Sequence, residues 1–211
     1  LHSPYGATEA LPVASISAND IDSTSVRGAC VGRPLAGIRI KVIAITDTPL
    51  ASFAEARELP TGQIGELIVQ GAVVTKTYDA LPEATAAARI SDGTASWHRL
   101  GDCGYVDPAG RLWFCGRKAE RVETPTGTLF TEPCEQVFRA HPHVARCALI
   151  GLGPPGQQQP ALVVEAGLKN SADAEAFASE LRVLARQHAY TAAISRFYFN
   201  PRFPVDVRHN A

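Results

Sequence analysis

The 211-residue sequence contains no methionine, no Cys-x-x-Cys pair and no long apolar run. A membrane-crossing helix needs about 20 consecutive apolar residues, so no transmembrane segment is expected, and no charged-then-apolar leader opens the sequence. The five cysteines (Cys30, Cys103, Cys115, Cys134 and Cys147) are odd in number and lack zinc-ligand spacing. They read as free thiols of a reducing compartment, which makes a cytoplasmic chain the expectation. Charge of one sign is lacking as well: 20 basic against 21 acidic side chains leave a net charge of −1. That excludes the overall basic field by which proteins track phosphate backbones, and no nucleic-acid partner is expected. What is present is core material. The sequence is 45% hydrophobic and 19% charged, a globular and not a disordered composition. At roughly 150 residues per domain the length suggests one domain and a half.

The first half reads as strands and tight turns. Residues Gly37–Ile45 alternate apolar Ile38, Ile40 and Val42 with Arg39 and Lys41, the period-2 signature of a half-buried strand. Glu66–Gln70 forms a second short strand. Ala84–Ile90 suits a short helix with Pro82 in its first turn, and Trp97–Gly116 reads as a hairpin about Asp107-Pro108-Ala109-Gly110. The character changes near residue 117. A helix is expected over Pro133–Ala140, strands over Ala145–Gly151 and Pro160–Ala166, a helix over Asp173–His188 and a last strand over Arg196–Asn200. Phe177, Leu181, Leu184 and His188 would share one face of that last helix.

Four clusters could carry chemistry. Tyr5-Gly6-Ala7-Thr8-Glu9 sets a flexible glycine beside a hydroxyl and a carboxylate, suited to a phosphate oxygen and a magnesium ion; a decorated turn would read the same way. Leu100-Gly101-Asp102 offers a lone carboxylate that could accept hydrogen bonds from a sugar diol, or close an Asx turn. Gly116-Arg117-Lys118 places a guanidinium, the planar fork that phosphates prefer, where the two halves meet; a surface charge would look identical. His141-Pro142-His143 lacks a ligand partner at metal spacing and reads as a loop.

Order and spacing link these clusters. Tyr5-Gly6-Ala7-Thr8-Glu9 is followed by Val31-Gly32-Arg33-Pro34, by Gly65-Glu66-Leu67 with Gly71 and Tyr78, by Gly101-Asp102 through Asp107, and by Gly110-Arg111 through Gly116-Arg117. This succession resembles the downstream motifs of the adenylate-forming superfamily: acyl-CoA synthetases, luciferases and peptide-synthetase adenylation domains. The resemblance implies an α/β and α+β fold. Residues 1–117 would be the β-rich, distorted barrel-like end of a large AMP-binding domain, and 118–211 a small α+β lid that rotates between half-reactions. It implies ATP and Mg2+ as the required small molecules. Tyr5 and Gly6 would lie against the nucleotide, with the Tyr5 ring on adenine. Thr8 would sit by the α-phosphate, Glu9 would be the magnesium carboxylate, Asp102 would hold both ribose hydroxyls and Arg117 would contact the ribose. Thr8 and Glu9 are the catalytic candidates.

Three departures from that pattern shape the functional expectation. The glycine-rich phosphate loop is not in this sequence, and Pro204-Val205-Asp206-Val207 runs on to the last residue without the lid's expected lysine. Ala119 stands at the usual hinge Asp or Lys, and Val122–Thr128 does not match the loop that guides coenzyme A. The Gly116–Val122 run, Leu11-Pro12-Val13-Ala14 and the ending from Phe203 look most like the bacterial olefin-biosynthesis β-lactone synthetases. In that family a β-hydroxy fatty acid is activated as acyl-AMP and closed by its own hydroxyl, and a thiolase-like condensing enzyme and a reductase are the expected pathway partners. A long-chain acyl-CoA synthetase or fatty acyl-AMP ligase is the alternative within the superfamily. A third reading is an inactive fragment that retains nucleotide binding or an interaction role.

Overall fold

The computed structural model describes residues 1–22 and 25–204, so the ending from Val205 onward lies outside the described residues. Contacts divide the chain into two compact units, Leu1–Ala119 and Glu120–Ala211. No helix among the described residues is long and apolar enough to cross a membrane.

The first unit carries β1 (His2–Ala7), β2 (Ala10–Ser17), β3 (Ala29–Pro34), β4 (Arg39–Ile43), β5 (Gly65–Gln70), α1 (Pro82–Ala88), β6 (Arg89–Asp92), β7 (Ala95–Val106) and β8 (Leu112–Arg117). Its strands form one eight-stranded sheet among the described residues, in the order β1-β2-β3-β8-β7-β5-β4, with β6 paired to β7. Val42 of β4 nevertheless shares a core with Ala10, Val13 and Ala14 of β2. One apolar cluster thus runs from β2 to β4 through Leu112, Leu100, Leu67 and Val69, in the strand-rich fold expected. A second cluster of Ile43, Leu50, Ile68, Ile90 and Trp97 covers the other face. Because Leu67 and Val69 enter one cluster and Ile68 the other, β5 is apolar without alternation, as a strand buried on both sides must be.

The β7–β8 hairpin forms where expected. The Asp107 carboxylate accepts from the Arg111 backbone N–H at 2.9 Å and from Trp113 Nε1 at 3.0 Å. Those bonds hold its carboxyl down at about 2, against the effect of burial. Other expectations need correction. The helix with Pro82 in its first turn ends at Ala88, two residues before the expected Ile90, because Arg89–Asp92 pair with Ala95–His98. Gly93, with a φ of +62° at the first of the two turn residues, is a hairpin signal that the helical reading ran past. The segment Tyr5–Ala7 belongs to strand β1, and only Thr8 and Glu9 make the turn into β2.

The second unit carries β9 (Val122–Thr124), β10 (Gly127–Leu129), α2 (Thr131–Arg139), β11 (Cys147–Leu152), β12 (Gln159–Glu165), α3 (Ser171–Ala185) and β13 (Arg196–Asn200). The last three strands form a sheet in the order β11-β12-β13, antiparallel and then parallel, and α2 and α3 pack with it. Helix α3 begins two residues before the expected Asp173, since the Asn170 side chain accepts from the Asp173 N–H at 2.9 Å. It stops at Ala185, short of His188, where the Thr191 hydroxyl takes the Ala185 carbonyl at 2.7 Å. The buried face is therefore Phe177, Ala178, Leu181 and Ala185.

Helix α2 carries a largely buried carboxyl, Glu135, which accepts from the Leu149 N–H at 2.9 Å. Burial pushes it up to about 7, against that bond and the Arg139 charge. The folded chain thus keeps a proton that the unfolded chain releases above about pH 4.5. Stability from this group is full below that pH and is lost as pH rises through about 7, by roughly 2–4 kcal/mol. Denaturant titrations from pH 5 to 8 should show that fall, and Glu135→Gln should flatten it; equal slopes in the two proteins would contradict the assignment.

Candidate nucleotide site

Three of the residues singled out in the sequence meet in the first unit. Arg117 is the cross-strand partner of Asp102 between β8 and β7. Its Nη1 donates to Asp102 Oδ1 at 2.7 Å, while the Tyr5 hydroxyl donates to Oδ2 at 2.6 Å. Asp102 is buried, with 4% of its side chain exposed, whereas 56% of the Arg117 side chain is open. The carboxylate forms the fixed base and the guanidinium the accessible rim. Burial pushes the Asp102 carboxyl up, opposed by the Tyr5 hydrogen bond and by Arg117. The Tyr5 phenol is pushed well above its usual range by burial and then by the Asp102 charge, so it remains a donor.

A bulge places Asp102 there. Between the pairs Glu66↔Cys103 and Ile68↔Arg99, three residues of β7, Leu100–Asp102, face the single residue Leu67. Gly101 takes a φ of +71° at that point, a conformation that glycine adopts without steric cost. Bulges of this kind re-aim side chains at the ends of strands and beside active sites. An Asx turn at Gly101-Asp102 is replaced by this bulge inside the strand.

Gly6 also has a packing role. A Cβ there would overlap the Ala10 carbonyl oxygen, so the missing side chain serves the close approach of β1 and β2. At the following turn, Thr8 is exposed and Glu9 half-buried. The Glu9 carboxylate does not join Asp102; it accepts from the Tyr78 hydroxyl at 2.9 Å. That bond holds its carboxyl below the usual range, which keeps it ionised at neutral pH. Tyr78 stood in the motif succession without a role.

A second ionic group went unnoticed in the sequence. Glu66 is fully buried and receives Arg99 Nε at 2.9 Å, Arg99 Nη2 at 2.7 Å and Lys118 Nζ at 3.2 Å. The signal was a glutamate inside an apolar strand with no reason to be exposed. Lys118 follows Arg117 directly, so this network anchors the end of β8 that carries the candidate rim. His141, read as a loop residue, lies within 3.1 Å of Glu180 through Nε2.

No family model matches the chain. Curated proteins do match, two bacterial ones over nearly the whole chain. An olefin β-lactone synthetase of Xanthomonas campestris is 47% identical over 99% of this chain and 39% of its own length. One of Stenotrophomonas maltophilia is 46% identical over the same shares. The chain belongs to the adenylate-forming superfamily. It spans about two fifths of the length of those relatives and matches the C-terminal portion of adenylating enzymes. A putative acyl–CoA ligase of Bacillus subtilis, at 33% identity over 77% of this chain and 30% of its own, is a more distant member. Among solved structures, the amide bond synthetase McbA of Marinactinospora thermotolerans superposes with a TM-score of 0.74 at 25% identity, over 97% of this chain and 39% of that one. The o-succinylbenzoate CoA synthetase of Bacillus subtilis, in complex with its acyl-adenylate, shares the fold with a TM-score of 0.75 at 23% identity, over 100% and 39%.

Proposed function

We propose that the chain is part of an ATP-dependent adenylate-forming enzyme that activates a β-hydroxy fatty acid and closes it to a β-lactone. Residues 1–117 are the end of the AMP-binding domain in this reading, and 118–211 the small lid. The observation that carries it is the Tyr5–Asp102–Arg117 arrangement in a chain so similar to two β-lactone synthetases.

The residues present fit the nucleotide. A carboxylate has about four acceptor positions; Tyr5 and Arg117 occupy one on each oxygen of Asp102, which leaves one on each for the two ribose hydroxyls. The half-buried Tyr5 ring offers a surface for adenine beside them, and the open part of Arg117 reaches the ribose. Thr8, exposed at the turn, supplies a hydroxyl for the α-phosphate. Magnesium fits as well. Among the described residues no group of three or more His, Cys, Asp or Glu could hold a metal ion, but Mg2+ takes one or two carboxylates and fills its shell with water and substrate phosphates. Glu9 is that carboxylate. Bound there, the ion would offset the charge gathering on the phosphates.

The substrate carboxylate then displaces pyrophosphate from the α-phosphorus. The substrate's own hydroxyl, losing its proton, attacks the activated carbonyl and AMP leaves. Nucleophile and carbonyl belong to one molecule, so proximity supplies much of the barrier reduction. Such a substrate arises by condensation and reduction of acyl chains, which fits a thiolase-like enzyme and a reductase as partners. Five cysteines, none of them in a disulfide, suit a reducing cytoplasm. The test is product analysis with the full-length enzyme, a β-hydroxy fatty acid, ATP and Mg2+, with and without coenzyme A. Lactone, AMP and pyrophosphate without coenzyme A are expected. A thioester formed only with coenzyme A would replace this reading with an acyl-CoA ligase.

A further inference from the structure

The segment from Gly71 to Arg89 grips Glu9 at both its main chain and its side chain. Val74 bridges to Ala10, the Thr75 N–H donates to the Glu9 carbonyl at 2.8 Å, and the Tyr78 hydroxyl donates to Glu9 Oε1 at 2.9 Å. The segment is itself braced. The Tyr78 N–H donates to Thr85 Oγ1 at 3.0 Å, and Thr85 Oγ1 donates to the Leu81 carbonyl at 3.0 Å, fastening the tyrosine to α1. Arg89 Nη2 donates to the Thr75 carbonyl and to its Oγ1, the latter at 3.1 Å.

A glutamate on a two-residue turn would otherwise sample many rotamers, and holding it in one orientation costs side-chain entropy. The phenol meets that cost before any ligand arrives. It occupies Oε1 and leaves the acceptor positions of Oε2 to another ligand. We propose that Tyr78 is a positioning residue for Glu9: its hydroxyl holds Oε1 so that Oε2 is presented to a divalent cation carried on the phosphates of the nucleotide. This rests on the reading of Glu9 given above. Groups that orient a metal ligand typically change metal affinity or activity by about 10–100-fold when removed.

The experiment measures ATP binding to the full-length enzyme by calorimetry, once with Mg2+ and once in EDTA, together with the Mg2+ concentration for half-saturation. Tyr78→Phe should raise that concentration roughly tenfold, leave ATP affinity in EDTA unchanged and leave the metal-free melting temperature where it was. Glu9→Gln separates the two layers of the argument. If Glu9→Gln keeps the full Mg2+ dependence, the assignment of Glu9 fails and the inference with it. If Glu9→Gln loses the dependence while Tyr78→Phe retains it, the positioning role alone is overturned. Should Tyr78→Phe melt early, Thr85→Val, which loosens the tyrosine from α1 and keeps its hydroxyl, takes its place. A smaller rise in half-saturation supports the role, and an unchanged value overturns it.

Discussion

Replacing Arg99 with methionine should lower the unfolding free energy of the 211-residue chain by about 3–5 kcal/mol, the usual cost of breaking a buried ion pair from one side. Glu66 has no exposed surface and Arg99 is 7% exposed. Arg99 also donates to the carbonyls of Thr48 at 2.9 Å and Thr46 at 2.5 Å, so its loss takes a donor from the Thr48 carbonyl as well as from the carboxylate, while Thr46 keeps Lys118 Nζ at 3.1 Å. Lys118 stays beside Glu66, 3.2 Å from Oε1. Domains of this size are stable by about 5–15 kcal/mol, so the variant should sit close to its unfolding threshold. Urea titration reads this as a lowered midpoint with an unchanged slope. Removing both charges, as Glu66→Leu with Arg99→Met, should recover part of the loss, because the uncompensated carboxylate is then gone. A single-variant loss under about 1 kcal/mol, the range of exposed ion pairs, would show that the pair is solvated and the network does not anchor β8.

In the full-length enzyme, Asp102→Ala should reduce kcat/KM for ATP by about 10–100-fold, since hydrogen bonds to a charged group contribute about 1.5–3 kcal/mol. The KM of the acid proposed as substrate should change little. Asp102→Asn keeps the shape and one acceptor oxygen, so it should fall between the two. It also distinguishes lost ribose contacts from a collapsed bulge at Gly101. Tyr5→Phe removes the donor on Oδ2 and should cost a smaller factor. Unchanged ATP kinetics in Asp102→Ala would remove Asp102 from the nucleotide site.

The elements legible in the sequence were those whose cause lies within a few residues. Arg39–Val42 alternates because Ile40 and Val42 pack on one core cluster while Arg39 and Lys41 do not, and Asp107 closes its own turn with the Arg111 N–H. The strands β1, β2 and β3 were not legible. Pro12, the neighbouring buried pair Val13 and Ala14, and the polar Ser15 break any clean alternation in β2. In β1, Tyr5 and Gly6 looked like loop residues because a small residue beside polar ones is the composition of turns. Gly6 is instead small because the Ala10 carbonyl lies against it.

For the candidate site the division runs along the same line. The residue types were readable: a carboxylate behind a glycine, an arginine closing a strand, an acid beside a threonine. Their partners were not. Tyr5 and Asp102 lie 97 residues apart, Glu9 and Tyr78 69 apart, and Glu66 and Lys118 52 apart. The sequence by itself pointed to the two-part composition and the candidate carboxylates through local patterns, and to the superfamily through the resemblance of its motifs to known ones. Only the tertiary structure decided that Tyr5 serves Asp102, that Tyr78 serves Glu9 and that Glu66 is buried. Those pairings follow from the strand order β1-β2-β3-β8-β7-β5-β4, which long-range burial of apolar faces selects and no local pattern encodes.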